Sequence, residues 1–331
     1  MQCKVWVCLV IFLPALVGSQ GPVSPIGGMQ IGDTIPPEVE NMYRAGLQFL
    51  ASTQSANGSW PDNFGQQPGV VGISVMSFLA SGEDPNYGPY RVQIRRGAEY
   101  IISQQDVQTG YIGNSMYNHA FATLALAELY GHLREPDVGV PLKRAVELIL
   151  NSQKQNPKNA WRYTPTSQDA DTTVSGGQMV ALYAARNAGL DVPEEALVLG
   201  LKYFRESMAN DGGIGYTGPQ GGNATRSAIA SLSFSLHNDD SEEGRKIFEY
   251  IRENRDGSAS YIYYHFYYMA QALFQGDMNE WRIWNRRIIE IFRATQQQNG
   301  SWSGQRGPTF STASALLTMA LNYRLLPIYE R

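Results

Sequence analysis

The stretch QSANGSW, residues 54–60, returns near the other end of the chain as QQQNGSW, residues 296–302. A polar, turn-forming heptapeptide ending in tryptophan constrains little by itself, but here the flanks recur as well. Phe49-Leu50 precede Gln54 at the interval at which Ile291-Phe292 precede Gln296. Weaker copies lie between: Tyr100-Ile101 with Gln105, Gly110 and Tyr111; Leu148-Ile149 with Gln153 and Trp161; and Tyr203-Phe204 with Tyr216, where Met208 stands in the glutamine position. Phe248, Gly257 and Tyr261 mark the most degenerate copy. Six units at about 40–55 residue intervals indicate stacked supersecondary units.

Each unit predicts two helices of different character. The first is amphipathic, as in PPEVENMYRAGLQFLASTQ, with apolar residues at Val39, Met42, Tyr43, Leu47 and Leu50. Pro36 and Pro37 suit its first turn, where a missing N–H costs little. The Asn-Gly, Asp-Gly and Thr-Gly pairs that follow predict helix ends, because glycine accepts a left-handed cap. The second helix, as in NHAFATLALAELYG or STASALLTMALNYR, is apolar or small nearly all round and so is expected to be buried on most faces. Amphipathic rods outside and apolar rods inside make an all-α (α/α)6 toroid of six hairpins and twelve principal helices. An open solenoid would need capping units with polar faces, which the end copies lack. The repeat glutamines are expected to hydrogen-bond the adjoining unit, and the repeat aromatics to lie across the start of a helix.

These units resemble the QW-type repeats of the prenyltransferase/squalene-oxidase repeat superfamily, which contains squalene–hopene and oxidosqualene cyclases and the β-subunits of protein prenyltransferases. The resemblance covers residues about 38–325. Within it, MYNHAFATLALAELYG, and YYHFYYMAQALFQG followed by WNRRI, look like exported single-toroid, squalene-cyclase-like proteins of planctomycete-type bacteria. That likeness implies a terpenoid-cyclase-type fold more than an activity.

The ends and the cysteines narrow the chemistry. MQCKVWVCLVIFLPALVGSQG has Lys4, an apolar run from Val5 to Val17 and then small residues, which reads as a secretory leader over residues 1–19. An uncleaved anchor is the alternative. A linker over 20–35 and one toroid domain over 36–331 complete the expected organisation, with a periplasmic or extracellular location. The only cysteines, Cys3 and Cys8, lie in the leader, so the mature chain has no disulfide, thiolate metal site, cysteine nucleophile or thioester. That removes the zinc site a protein prenyltransferase requires. No metal and no cofactor is expected. A net charge of −4 without basic runs argues against nucleic acid as a partner; an apolar small molecule or an envelope protein is the expected partner.

In SQDADTTVSGGQ, Asp169 and Asp171 stand on the first two aspartates of the Asp-x-Asp-Asp motif that class II cyclases carry at an inner-helix start, with Thr172 in place of the third. The resemblance implies Asp171 as proton donor, Asp169 as a neighbour raising its pKa and Thr172 as a hydrogen-bonding substitute. The residues themselves also predict a plain N-cap at Asp171, since Asn118, Asn223 and Ser311 begin other inner helices. Cyclases of this family moreover enclose their substrate between two toroid-like domains, and this chain has one. YIYYHFYYMAQ, residues 261–271, offers Tyr263, Tyr264, His265, Tyr267 and Tyr268; Tyr117 and His119 open another inner helix in the same manner. Aromatic faces at these places either line a central cavity or fill the hole of the ring. His119 and His265 read as hydrogen-bonded residues ahead of metal ligands, Trp281 and Trp284 as wall packing, and GIGYTG at 213–218 as a loop.

The expected function is an exported toroid that binds an isoprenoid or other apolar ligand in a central aromatic cavity, with class II cyclase-like acid chemistry at Asp171 as a further step. The first alternative is a non-catalytic envelope scaffold or protein-binding module. The second is a polysaccharide-active (α/α)6 enzyme that pairs carboxylates among Asp169, Asp171, Asp211 and Glu128. Whether the chain is an enzyme stays open at this point; a terpene-cyclase-like isomerase is the first reading if it is.

Overall fold

A computed structural model describes residues 35–256 and 260–329, so the leader and most of the linker lie outside the described residues. Six outer helices, α1 (Pro37–Thr53), α3 (Arg91–Ser103), α5 (Gly139–Gln155), α7 (Glu194–Glu206), α9 (Glu242–Asn254) and α11 (Met278–Thr295), alternate with six inner ones. The inner helices are α2 (Pro68–Leu79), α4 (Met116–Leu129), α6 (Thr172–Asn187), α8 (Ala224–Leu236), α10 (Ile262–Gly276) and α12 (Pro308–Ala320). Each inner helix packs on the next, and α12 packs back on α2, while α1 meets both α11 and α12. The ring is therefore closed.

Burial follows the two patterns. On α1, Val39, Met42, Tyr43, Leu47 and Leu50 are buried while Glu38, Glu40 and Arg44 face water. On α4 every residue except Tyr117 is buried. Small residues let the inner rods approach closely: a Cβ added at Gly176 on α6 would meet Cγ2 of Ile229 on α8 at 1.8 Å.

The recurring glutamines join the units, as expected. Gln54 Nε2 donates to its own turn at Gly58 O (3.0 Å) and to Gln93 O of the next outer helix (2.9 Å). Gln105 reaches Pro141 O and Gln153 reaches Ala196 O in the same way. Gln296 closes the circle on Met42 O at 2.9 Å. The glycines differ from the expectation. The helices end at extended residues such as Gln54 and Gln296, and the glycine stands four residues later. Gly58 and Gly300 have φ of 87° and 86°, and a Cβ there would lie 2.1 Å from Arg96 O and 2.3 Å from Ala45 O. Close approach to the neighbouring backbone, not helix capping, demands the glycine.

The tryptophans also sit differently. Trp60, Trp161 and Trp302 donate their indole N–H to Leu50 O, Ile149 O and Phe292 O, so each ring lies against the C-terminal part of its outer helix. The backbone at this residue, or at its counterpart in other units, anchors the inner helix. Trp161 N donates to Ser175 Oγ, Trp302 N to Thr312 Oγ1, Ile214 N to Ser227 Oγ and Ile112 N to His119 Nδ1. His119 thus stands in a series otherwise filled by hydroxyls. Trp281 and Trp284 pack edge-on against Phe274 and Phe266 in the wall.

Among the described residues no helix is long and apolar enough to cross a membrane, and no group of His, Asp and Glu is arranged to hold a metal ion.

Candidate functional site

Every link runs from an outer to an inner helix, so all six inner helices start on the same side of the ring. There they enclose a cavity of about 720 Å3, to which all six hairpins contribute. Phe64 and Val70 come from the first hairpin, Tyr117 and Phe121 from the second, Tyr163 and Thr173 from the third. Tyr216 and Arg226 come from the fourth, Tyr261 and Tyr264 from the fifth, Arg306 and Phe310 from the last. Below this basin the hole is filled: Tyr267 meets Phe121 at 6.1 Å and Tyr268 at 4.8 Å between ring centroids, and Tyr264 meets Tyr268 at 4.9 Å. The ring is plugged at one end and open at the other.

Only two of the expected site residues, Tyr117 and Tyr264, belong to the lining. The tyrosine-rich start of α10 is divided by helical geometry. Tyr261, Tyr264 and Tyr268 share one face and look toward the axis. Tyr263 lies on another face and stacks on Phe292 of the wall at 6.3 Å and 11°. Tyr267 and Tyr268 form the floor beneath the basin. His119 and His265 lie inside the wall with both ring nitrogens engaged. His119 Nδ1 accepts from Ile112 N, which leaves Nε2 to donate to Ala145 O (3.0 Å), and burial pushes its pKa down to about 4. His265 contacts Thr225 Oγ1 and Arg255 O, and burial lowers its pKa too.

Asp171 is the N-cap of α6 and is fully buried one layer behind the lining. Its Oδ1 accepts from Thr173 N (2.9 Å), Val174 N (2.8 Å) and Thr173 Oγ1 (2.6 Å). Arg162 Nε stands 3.6 Å from Oδ2, and the same guanidinium pairs with Asp169, which projects into solvent. An acid that protonates a ligand must present an oxygen to it; Asp171 presents neither to the basin. Thr172 does not touch Asp171 either: its hydroxyl donates to Gly215 O of the next link (2.8 Å). Thr173, one residue on, is the threonine that bonds the carboxylate.

Reading the sequence alone missed the loop contributions. Asp62 lines the cavity and caps the start of α12, accepting from Phe310 N at 2.7 Å. Burial raises its pKa, and the backbone donors oppose that rise. Arg306 lies between two rim rings, 4.9 Å from the centroid of Phe64 and 4.5 Å from that of Tyr261, without an ion pair among the described residues. Arg226 gives its Nε to Ile214 O (3.2 Å). The signals available were the spacing of Tyr261, Tyr264 and Tyr268, and the position of these loop residues beside inner-helix starts.

No family model matches the sequence, and no curated protein matches it. Among solved structures the chain is similar to a variant of the type II terpene cyclase MstE from Scytonema in complex with its substrate geranylgeranyl dihydroxybenzoate. The TM-score is 0.60 at 12% identity, over 87% of this chain and 98% of that one. It is also similar to the GH76A α-1,6-mannanase of a Salegentibacter species, with TM-score 0.64, 10% identity and 87% and 99% of the two chains. Cellobiose 2-epimerase from Bacillus thermoamylovorans gives TM-score 0.65 at 12% identity, over 85% and 98%. At these identities the likeness establishes the α/α toroid and leaves the chemistry to the site.

Proposed function

We propose that this chain is an exported toroid that binds an isoprenoid or similar apolar small molecule in the basin at the inner-helix starts. The observation that carries the reading is the basin itself: about 720 Å3, walled by aromatic side chains from all six hairpins and closed below by Tyr267 and Tyr268. Small-molecule sites span roughly 300–1,000 Å3 and combine apolar walls with a few convergent polar groups. That a toroid of this shape can hold a prenylated ligand is supported by the terpene cyclase neighbour, whose substrate carries a geranylgeranyl chain. Acid-initiated cyclisation at Asp171 is not part of this reading, because the carboxylate is buried behind Thr173 and serves as a cap.

The polysaccharide alternative has weaker support despite the mannanase and epimerase neighbours. Among the described residues only Asp62 brings a carboxylate to the lining, and hydrolysis of a glycoside ordinarily needs two. A plugged scaffold would not need an open basin. Native mass spectrometry of the protein purified from its own host tests the proposal. The expected result is a non-covalent adduct with the mass of an isoprenoid or another lipid-like molecule. A protein that stays free of adducts and does not bind farnesol, farnesene or geranylgeraniol in titration would overturn it.

A further inference from the structure

The charged groups around the basin do not balance, and the imbalance has a sign. Arg226 and Arg306 both belong to the lining, from the fourth and the last hairpin, on either side of the fifth. Asp62 is the one carboxylate among the described lining residues, and its oxygens are occupied: Oδ1 accepts from Asn63 N (3.1 Å) and Oδ2 from Phe310 N (2.7 Å). Asp256, in the link that leads to Tyr261, pairs with Arg287 at 2.5 Å, and Asp171 behind the wall faces Arg162. Neither lining arginine has an ion pair among the described residues.

The two arginines are held in different ways. Arg226 spends Nε on Ile214 O (3.2 Å) and Nη2 on Gly221 O, so it is tied into its own link. Arg306 is half-buried, its guanidinium carbon 4.9 Å from the ring centroid of Phe64 and 4.5 Å from that of Tyr261. Attraction to the ring faces fixes where this cation stands and consumes none of its N–H donors. Those donors have no hydrogen-bond partner among the described residues, and none of the nitrogens is shut off from solvent. A guanidinium with a free fork matches a carboxylate or a phosphate, either of which can accept two parallel hydrogen bonds from it. Phe64 and Tyr261 are themselves 58% and 44% exposed, so the cation stands at the rim with the aromatic wall beneath it.

We infer that the basin takes an amphiphile with an anionic head, its oxyanion on Arg306 at the rim and its apolar chain directed down toward Tyr267 and Tyr268. Arg226 contributes the same sign of charge to the lining. A carboxylate and a phosphate monoester share this chemistry, whereas an ammonium head would meet two like charges. The inference rests on the basin being a site for apolar chains; it adds the sign of the head and the direction of entry, chain first.

Isothermal titration calorimetry of the protein with four probes that share one chain tests this: farnesol, farnesylamine, farnesoic acid and farnesyl monophosphate. At neutral pH and low salt the anions are expected to bind about tenfold tighter than farnesol, and the amine more weakly than farnesol. Raising the ionic strength should narrow the gap and leave farnesol unchanged. Arg306→Met keeps an unbranched stem between the two rings and removes the charge, and it should bring anion and alcohol close to equal affinity. Arg134→Met, which strips a similar arginine from Tyr87 at the opposite end of the ring, controls for net charge and should leave the ratio intact. A gain confined to one of the two anions supports the inference and tells carboxylate from phosphate. A merely structural Arg306 would weaken all probes alike on substitution; a ratio that survives Arg306→Met, or falls equally in Arg134→Met, would overturn the inference. Equal binding of farnesol and both anions by the unmodified protein would overturn it too, while the apolar basin stands. Absence of binding by all four probes would remove the isoprenoid reading itself, and the inference with it.

Discussion

The closure of the ring can be tested by one methyl group. Gly300 has φ of 86°, and a Cβ added to it would lie 2.3 Å from Ala45 O on α1. Real Cβ atoms essentially never come within 3.0 Å, so Gly300→Ala must move the last link away from α1 by at least about 0.7 Å. The same displacement acts on the contact from Gln296 Nε2 to Met42 O, now 2.9 Å, and takes it to the distance at which a hydrogen bond is lost. The left-handed backbone costs about 1–2 kcal/mol for alanine, and the broken hydrogen bond about 1 kcal/mol, for a total of about 2–3 kcal/mol. Gly131 is the internal control. Its φ is 81°, but nothing lies within 4 Å of the added Cβ, so Gly131→Ala should cost only the backbone part, about 1–2 kcal/mol. Urea denaturation of both variants, at an unchanged slope with denaturant, measures the difference. Equal losses would refute the argument that the link is pressed against α1.

Three further outcomes follow from the same geometry. His119 has a folded pKa of about 4 against an ordinary 6.5, so the unfolded chain binds more protons between these values and stability rises with pH there. Acidification from 6.5 to about 4 should remove roughly 3 kcal/mol, and His119→Gln, which keeps an acceptor and a donor, should flatten that slope in urea titrations at stepped pH. Asp171→Asn should keep the N-cap and cost under about 1 kcal/mol, whereas Asp171→Ala should cost about 2 kcal/mol by thermal unfolding; a large loss for the asparagine variant would show that the charge matters more than the cap. Gly176→Ala should destabilise by about 1–3 kcal/mol through Ile229 Cγ2, and Ile229→Leu, which removes that methyl, should recover part of the loss in a double-mutant cycle.

The toroid was legible because two helix characters alternate six times and because one turn sequence marks every join. Periodicity reports which faces of a rod are apolar, and a ring with an inside and an outside is the arrangement that uses both kinds. The reason for each glycine was not legible, since a close approach to Arg96 O or Ala45 O belongs to the neighbouring unit and leaves no local trace. The site was legible in part. A run of six aromatics from Tyr261 into the first turns of α10 announces a crowded axis, yet only Tyr261, Tyr264 and Tyr268 fall on the face that looks inward. Asp62, Tyr163, Tyr216 and Arg306 come from links, whose paths are set by tertiary contacts. The choice of Thr172 over Thr173 failed for a similar reason. At the first turn of a helix one residue of rotation decides which hydroxyl returns to the cap and which points to the next unit.

A seam between the first and last hairpins also governs how the chain comes into being. Gln296 reaches back to Met42, and Thr309 and Phe310 reach back to Pro61 and Asp62, across gaps of 254 and 248 residues. As the polypeptide is synthesised, the apolar flank of α1 and α2 that awaits α12 stays bare until nearly everything else has been made. A nascent chain stopped before Pro308 would keep two sticky edges instead of none, which makes aggregation of truncated products, and their capture by chaperones, the natural companion of a circular architecture.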